Sequence, residues 1–330
     1  MKISIDELKD LTTKALKSYG YNNEEISGIS DILLYAQLRG NNQGVVKLIG
    51  PGIPKSPDAG KIVVEKETGV SAKINGNKNH AMVVVKKGLD ILLEKVEKNG
   101  LGIVGTYNTN TSSGAIGYLA SEIAKKKMIG LVFASSPERV AAYGSYEPVF
   151  GTNPVAVGIP ASPDNIVLDM STAAISFYGL VEAKTAGKSI PSDVAYDSEG
   201  KPAMSPQDAI KGAIRSFDRS YKGSSLAMIG EILAGPLVGA AFSGIGDSKG
   251  NWGHLMIAID PEILGSRDEF AENVTRLIKK VKSSKKLDGV TQIFAPGERG
   301  AAMMKQSLKD GEIEIEENLL KELRAVGADY

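Results

Sequence analysis

The apolar positions recur with two periods, and those periods divide the chain. Ser4 and Glu7 are spaced as a capping box, and Leu8, Leu11, Ala15 and Tyr19 then share one helical face until Gly20. A second helix is predicted over 23–38, with Ile26, Ile29, Leu33 and Ala36 inward and the polar stretch Arg39 to Gly44 as its exit. Prolines and glycines over 51–60 predict an extended loop. Alternation predicts strands over 61–66 and 70–74. Val85, Leu89, Leu92 and Val96 predict an amphipathic helix over 81–98, stopped by Gly100. A buried strand follows over 101–106, a helix over 113–127 and a strand over 129–134. From there to Met170 the order is loop, strand, turn, strand. Further helices are predicted over 174–186, 223–235, 267–282 and 317–325, and a strand over 254–260. The alternation between 81 and 134 predicts an α/β unit.

Composition narrows the partners. The chain has 330 residues, with 39 basic side chains against 39 acidic ones, so neither a nucleic acid nor a polybasic membrane contact is expected. There is no cysteine, which excludes disulfides and thiolate chemistry. The two histidines, His80 and His254, show no metal-binding spacing, and no metal is expected. The N-terminus lacks the apolar run of a signal peptide, and no stretch approaches the roughly 20 apolar residues of a membrane span. A cytoplasmic protein is expected.

The chain carries no G-x-G-x-x-G fingerprint, P-loop or nucleophile elbow. Phosphates would need other backbone N–H groups, such as helix N-termini. Asp169 closes an apolar strand, with Ser171 and Thr172 after it. That group suits a ribose, or equally a helix cap beside a satisfied turn acid. Ser135 at a strand end fits a ligand or an ordinary turn. Lys222 at a helix N-terminus opposes the helix dipole, which hints at an anionic ligand; an exposed lysine is the alternative. His254 at a strand start reads as structural, and His80 as surface.

Longer strings say more. Gly151-Thr152-Asn153-Pro154, Val167 to Ala173, Glu231 to Leu237, Ile257 to Pro261, and Ile190-Pro191 with Asp197 resemble the malate/L-lactate dehydrogenase family of the second type. Its members include ureidoglycolate, sulfolactate and diketogulonate oxidoreductases. The resemblance runs from Lys2 to the C-terminal helix. It implies an α/β, non-Rossmann fold (sulfolactate dehydrogenase-like), in which a mixed-sheet cofactor domain joins a helical N-terminal part. Residues 1–75 with 262–330 would form one part, and 76–261 the cofactor and substrate domain. It also implies a homodimer, NAD or NADP, and a small-molecule substrate. By match, Ser135, Asp169, Met170, Ser171, Lys222, His254, Pro296, Gly297 and Glu298 would serve the cofactor.

The chain departs from that pattern where the chemistry belongs. Gln43 and Ser112 stand where the family has histidines, and Lys47 where it has a carboxylate-gripping arginine. Arg219-Ser220 replaces two glycines ahead of Lys222, and Val194 replaces a tryptophan. Histidine suits proton transfer near neutrality, and serine and glutamine do not. The expectation is therefore Lys47 on the substrate carboxylate and Ser112 or Gln43 on the heteroatom. Lys222, Lys47 or Tyr107 would move the proton. The substrate would be a small 2-hydroxy/2-keto acid, or a cyclic imino acid that arrives protonated. The alternative is a nicotinamide-binding protein that has lost its chemistry and acts as a sensor or subunit.

Overall fold

A seven-stranded mixed sheet organises the molecule, for which the computed structural model describes residues 1–245, 251–326 and 328. The chain opens with β1 (Lys2–Ser4), α1 (Ile5–Ser18) and α2 (Asn23–Leu38). Ser4 Oγ accepts the Glu7 N–H at 3.1 Å and starts α1. Asn22 and Glu25 cap each other's backbone at the head of α2, which fixes its first turn. Next come β2 (Val63–Glu67), β3 (Ser71–Asn75), α3 (Ala81–Asn99) and β4 (Leu101–Thr109), then α4 (Gly117–Lys125) and β5 (Ile129–Ala134). Two short strands, β6 (Val140–Ala141) and β7 (Pro148–Phe150), precede β8 (Val155–Ile159) and β9 (Ile166–Met170). The remainder is α5 (Phe177–Thr185), β10 (Ala195–Tyr196), α6 (Pro206–Lys211), β11 (Ala213–Ile214), α7 (Tyr221–Ala234), β12 (Trp252–Ile259), α8 (Arg267–Lys282), α9 (Glu298–Asp310), β13 (Glu312–Glu314) and α10 (Glu317–Val326).

The large sheet runs β2-β3-β4-β12-β5-β8-β9. Only β3 and β4 pair in parallel, joined by the α3 crossover; every other neighbour is antiparallel. A Rossmann sheet is mostly parallel, so the fold is the expected α/β, non-Rossmann, mixed-sheet arrangement. Alternation along the strands sorts the side chains by face. Val104, Val132 and Met256 join the core under α3 and α4, while Ile103, Phe133 and Leu255 face Leu233 of α7. Helix α4 lies so close to β8 that a Cβ on Gly158 would stand 2.0 Å from the Ala120 carbonyl oxygen. A second sheet, β10-β11-β6-β7, has its own apolar core around Phe150, Leu180, Val194 and Ile214, and β1 pairs with β13.

Several elements differ from the periodic reading. The helix expected from 113 starts at Gly117, because Gly114 (φ 72°) and Thr111 (φ 63°) hold the approach in left-handed turns. The helix expected from 174 starts at Phe177, capped by Ser176 rather than Ser171 or Thr172. Strand β4 continues to Thr109, where Trp252 pairs with it. His80 is 2% exposed, not a surface residue. It caps α3, its Nδ1 accepting the Met82 N–H at 3.2 Å, and its ring meets Tyr21 edge to face. No described helix is long and apolar enough to cross a membrane.

Candidate active site

A cleft of about 580 Å³ opens where the two cores meet. One wall comes from the loop after α2 (Asn41, Asn42, Gln43) and from 111–115. The other comes from the end of β5 (Ser135, Ser136, Pro137, Arg139), from Thr152, and from 169–178. Ser112, Gln43, Ser135, Asp169 and Ser171 thus come together from distant parts of the chain.

The hydroxyls form a knitted wall. Ser136 Oγ accepts the Thr152 N–H at 2.9 Å, and Ser171 Oγ donates to the Thr152 carbonyl at 2.9 Å. Ser135 is tied to Gly253, whose N–H donates to its Oγ at 2.9 Å. Asp169 Oδ2 accepts the Gly117 N–H at 3.0 Å, so a carboxylate already occupies the start of α4. A side chain at 117 would collide with it, since a Cβ there would lie 2.6 Å from Oδ2. Burial pushes the Asp169 carboxyl up to about 6, against the Gly117 hydrogen bond and the Arg39 charge.

Lys47 sits behind Ser112, in the wall formed by 41–43 and 111–115, and outside the cleft lining. It lies in a single 3-10 turn (Val45–Leu48) and is 1% exposed. Its Nζ donates to Ser112 Oγ at 2.8 Å and rests 3.4 Å from the Tyr178 ring centroid. Desolvation holds its ammonium well below the usual lysine range. Lys47 therefore reaches the cleft only through Ser112. The amide of Gln43 donates to Asn42 Oδ1 at 3.2 Å and lies in the same wall.

Other residues singled out from the sequence lie elsewhere. His254 is buried in the sheet, Nδ1 within 2.8 Å of Thr106 Oγ1, and burial depresses its imidazole to about 3. The same cause, with the nearby Lys47 charge, takes His80 to about 3, so both rings are neutral near pH 7. Met170 pairs with Val155 within the sheet. Pro296, Gly297 and Glu298 dock behind β9. The Pro296 carbonyl accepts the Val167 N–H, the Gly297 carbonyl accepts from Arg39, and Glu298 pairs with Lys282. Lys222 is exposed in the first turn of α7, outside the cleft lining, and the Tyr107 hydroxyl is committed to Glu65 at 2.8 Å. A second cavity of about 590 Å³ shares Asn41 and Asn42 but is lined by Asp310, Glu312, Glu314 and Glu316, an environment hostile to phosphates.

Sequence reasoning missed Arg139, Phe177, Tyr178 and Trp252, all of which line the cleft. The one available signal was positional: Arg139 closely follows a buried strand's end, where loops carry ligands. A dinucleotide fits what is present. The cleft offers hydroxyls, a carboxylate with an oxygen left over, and aromatic faces, within the volume range of cofactor sites.

Comparison with known proteins finds relatives along the whole chain. The family model described as Malate/L-lactate dehydrogenase matches residues 3–324. L-sulfolactate dehydrogenase of Methanothermobacter thermautotrophicus is 34% identical, over 100% of this chain and 97% of that protein. Malate/(S)-sulfolactate dehydrogenase of Methanothermus fervidus is 35% identical, over 99% and 97%. The crystal structure of malate dehydrogenase from Entamoeba histolytica superposes with a TM-score of 0.89 at 25% identity, covering 100% of this chain and 98% of that one.

Proposed function

This chain belongs to the malate/L-lactate dehydrogenase family and is an oxidoreductase, and from that premise we propose that it interconverts a small 2-hydroxy acid and its 2-keto acid with NAD or NADP. The observation that carries the reading is the 2.8 Å hydrogen bond from buried Lys47 to Ser112 at the cleft wall. When bound, the nicotinamide supplies or takes the hydride at the substrate carbon. Proton transfer at the neighbouring oxygen falls to the chain. In oxidation, Ser112 Oγ takes the hydroxyl proton of the substrate and passes its own to the Lys47 amine. In reduction, Lys47 returns it along the same path. An amine stripped of solvent is suited to this work, because it gives up its proton more readily than an exposed lysine. The hydroxyls of Ser135, Ser136, Thr152 and Ser171, with the free oxygen of Asp169, would hold the cofactor's ribose and amide groups.

The Lys47–Ser112 pair would supply the proton that a 2-keto acid needs, which favours it over a cyclic imino acid that arrives protonated. The test is turnover by purified protein with NADH or NADPH, on a panel of 2-keto acids and a cyclic imino acid. Lys47→Met should lower kcat by about 10²–10⁴, the usual worth of a general acid–base group, with cofactor binding by fluorescence little changed. The pH limbs should run oppositely in the two directions. Oxidation should fall as Lys47 becomes protonated at lower pH, and reduction as it loses its proton at higher pH. A Lys47→Met enzyme that keeps its kcat would sink the relay.

A further inference from the structure

Ser112 and Lys47 form a pair whose chemistry does not depend on a dinucleotide. Ser112 lines the cleft, half-buried, in the 111–115 loop. Its Oγ is held from two sides, accepting from Lys47 Nζ at 2.8 Å and from the Gly114 N–H at 3.2 Å. Lys47 is 1% exposed and has no carboxylate in ion-pair reach among the described residues. Its other close contact is the Tyr178 ring, and the nearby His80 imidazole is neutral. Burial holds the Lys47 ammonium well below the usual lysine range. Once the amine is neutral, the bond reverses and the serine O–H donates to Nζ. A neutral amine on a serine hydroxyl at the rim of a cleft is the base and nucleophile arrangement of acyl transfer.

The loop supplies the third part of such a site. Left-handed turns at Thr111 (φ 63°) and Gly114 (φ 72°) bend the chain on either side of the serine. Among the described residues, the N–H groups of Ser113 and Ala115 donate to no protein acceptor. Both residues line the cleft and neighbour Ser112 along the chain. Backbone donors left open beside a nucleophile suit the negative oxygen that develops on an acyl carbon.

We propose a second activity: Ser112 is a nucleophile, with Lys47 as its general base, that hydrolyses small activated carboxylic esters through an acyl-serine. In the first step Ser112 Oγ bonds to the ester carbonyl carbon, and its proton passes to Lys47 Nζ. The bond to the leaving oxygen breaks, and that oxygen takes the proton from Lys47. In the second step a water gives a proton to Lys47 and bonds to the acyl carbon. The acyl–Ser112 bond breaks, and Ser112 takes the proton back. Ester and water become acid and alcohol, with nothing oxidised or reduced. The activity shares two residues with the dehydrogenase reading but needs no nicotinamide.

The experiment mixes purified protein, without added cofactor, with p-nitrophenyl acetate and follows p-nitrophenol release. Peptide mass spectrometry after an acid quench locates the acetyl group. The wild type should release product and carry acetyl on Ser112, in an ester bond that neutral hydroxylamine cleaves. Ser112→Ala should lose both signals. Lys47→Met should slow acylation by about 10²-fold or more, the usual worth of a general base. Lys47→Arg should not restore it, because a guanidinium keeps its proton. If Lys47→Met does not fold, Ser112→Ala decides alone. Equal release by wild type and Ser112→Ala overturns the proposal. So does acetyl found only on lysines, in amide bonds that resist hydroxylamine. A protein that reduces keto acids but forms no acyl-serine sinks this inference alone, and one that forms it without any dehydrogenase turnover sinks the function reading alone.

Discussion

Asp169 is the group in the cleft whose ionisation crosses the useful pH range. Its carboxyl is lifted from an ordinary 3.8 to about 6, chiefly because burial disfavours the charge. The unfolded chain releases that proton near 3.8, and the native state keeps it until about 6. The resulting stabilisation is complete below the unfolded value and is lost as pH rises through the native one. Asp169→Asn keeps an oxygen for the Gly117 N–H but has no charge to desolvate. Thermal melts of the protein without cofactor should show Asp169→Asn more stable than wild type at pH 8, with the difference vanishing by pH 4. A variant less stable at pH 8 would mean that Arg39 and the Gly117 bond outweigh desolvation. The histidines act in the opposite sense: both rings stay neutral in the fold while the unfolded chain takes up protons near 6.5, so they cost stability as pH falls below that value, equally in both variants.

At the scale of elements, close approach decides which substitutions the sheet tolerates. Gly158 on β8 faces the Ala120 carbonyl oxygen of α4, and a methyl there would stand 2.0 Å from it. A backbone carbonyl in a packed helix cannot swing aside as a side-chain end does. Gly158→Ala should therefore cost about 1–3 kcal/mol or more, as overpacking does. Urea unfolding should show a lower midpoint at unchanged slope. Gly265→Ala, which meets nothing within 4 Å, should leave the midpoint in place. The sequence showed elements best where caps and periodicity coincide. Helix α2 begins and ends where the pattern placed it, because Asn22 and Glu25 close its first turn. Helix α8 likewise follows the cap at Ser266. Strands β6, β10 and β11 have two residues each and carry no period to read. The start of α4 was hidden because periodicity says nothing of the positive φ at Thr111 and Gly114. In the site, Ser112, Ser135 and Asp169 were legible from local strings. Arg139 was not, because its place in the cleft comes from packing on Phe177, which only the fold supplies.

Across the whole molecule, the cleft lies where two apolar cores meet, and Glu231 fastens to α7 the turn that lines part of it. Glu231 lies on α7, 5% exposed, and accepts from three donors in two segments. Asn153 Nδ2 donates at 2.5 Å, Gly151 N–H at 3.4 Å and Ser243 N–H at 2.9 Å. Asn153 also donates to the Ala227 carbonyl at 3.1 Å, so the 151–153 turn is pinned to one face of α7. Thr152, between the pinned residues, turns the other way and lines the cleft. Removing the carboxylate in Glu231→Ala strands buried donors, each worth about 1–3 kcal/mol of desolvation. Glu231→Gln retains one acceptor oxygen but turns an amide N–H toward the remaining donors. The order of thermal stability should be wild type, then Glu231→Gln, then Glu231→Ala, and dinucleotide affinity by fluorescence titration should follow it. Affinity must fall as well as stability, because Ser136 and Ser171 hold their places through Thr152. If Glu231→Ala melts within about 1 °C of wild type, less than 1 kcal/mol is at stake for a chain of this size, and packing alone holds the 151–153 turn on α7.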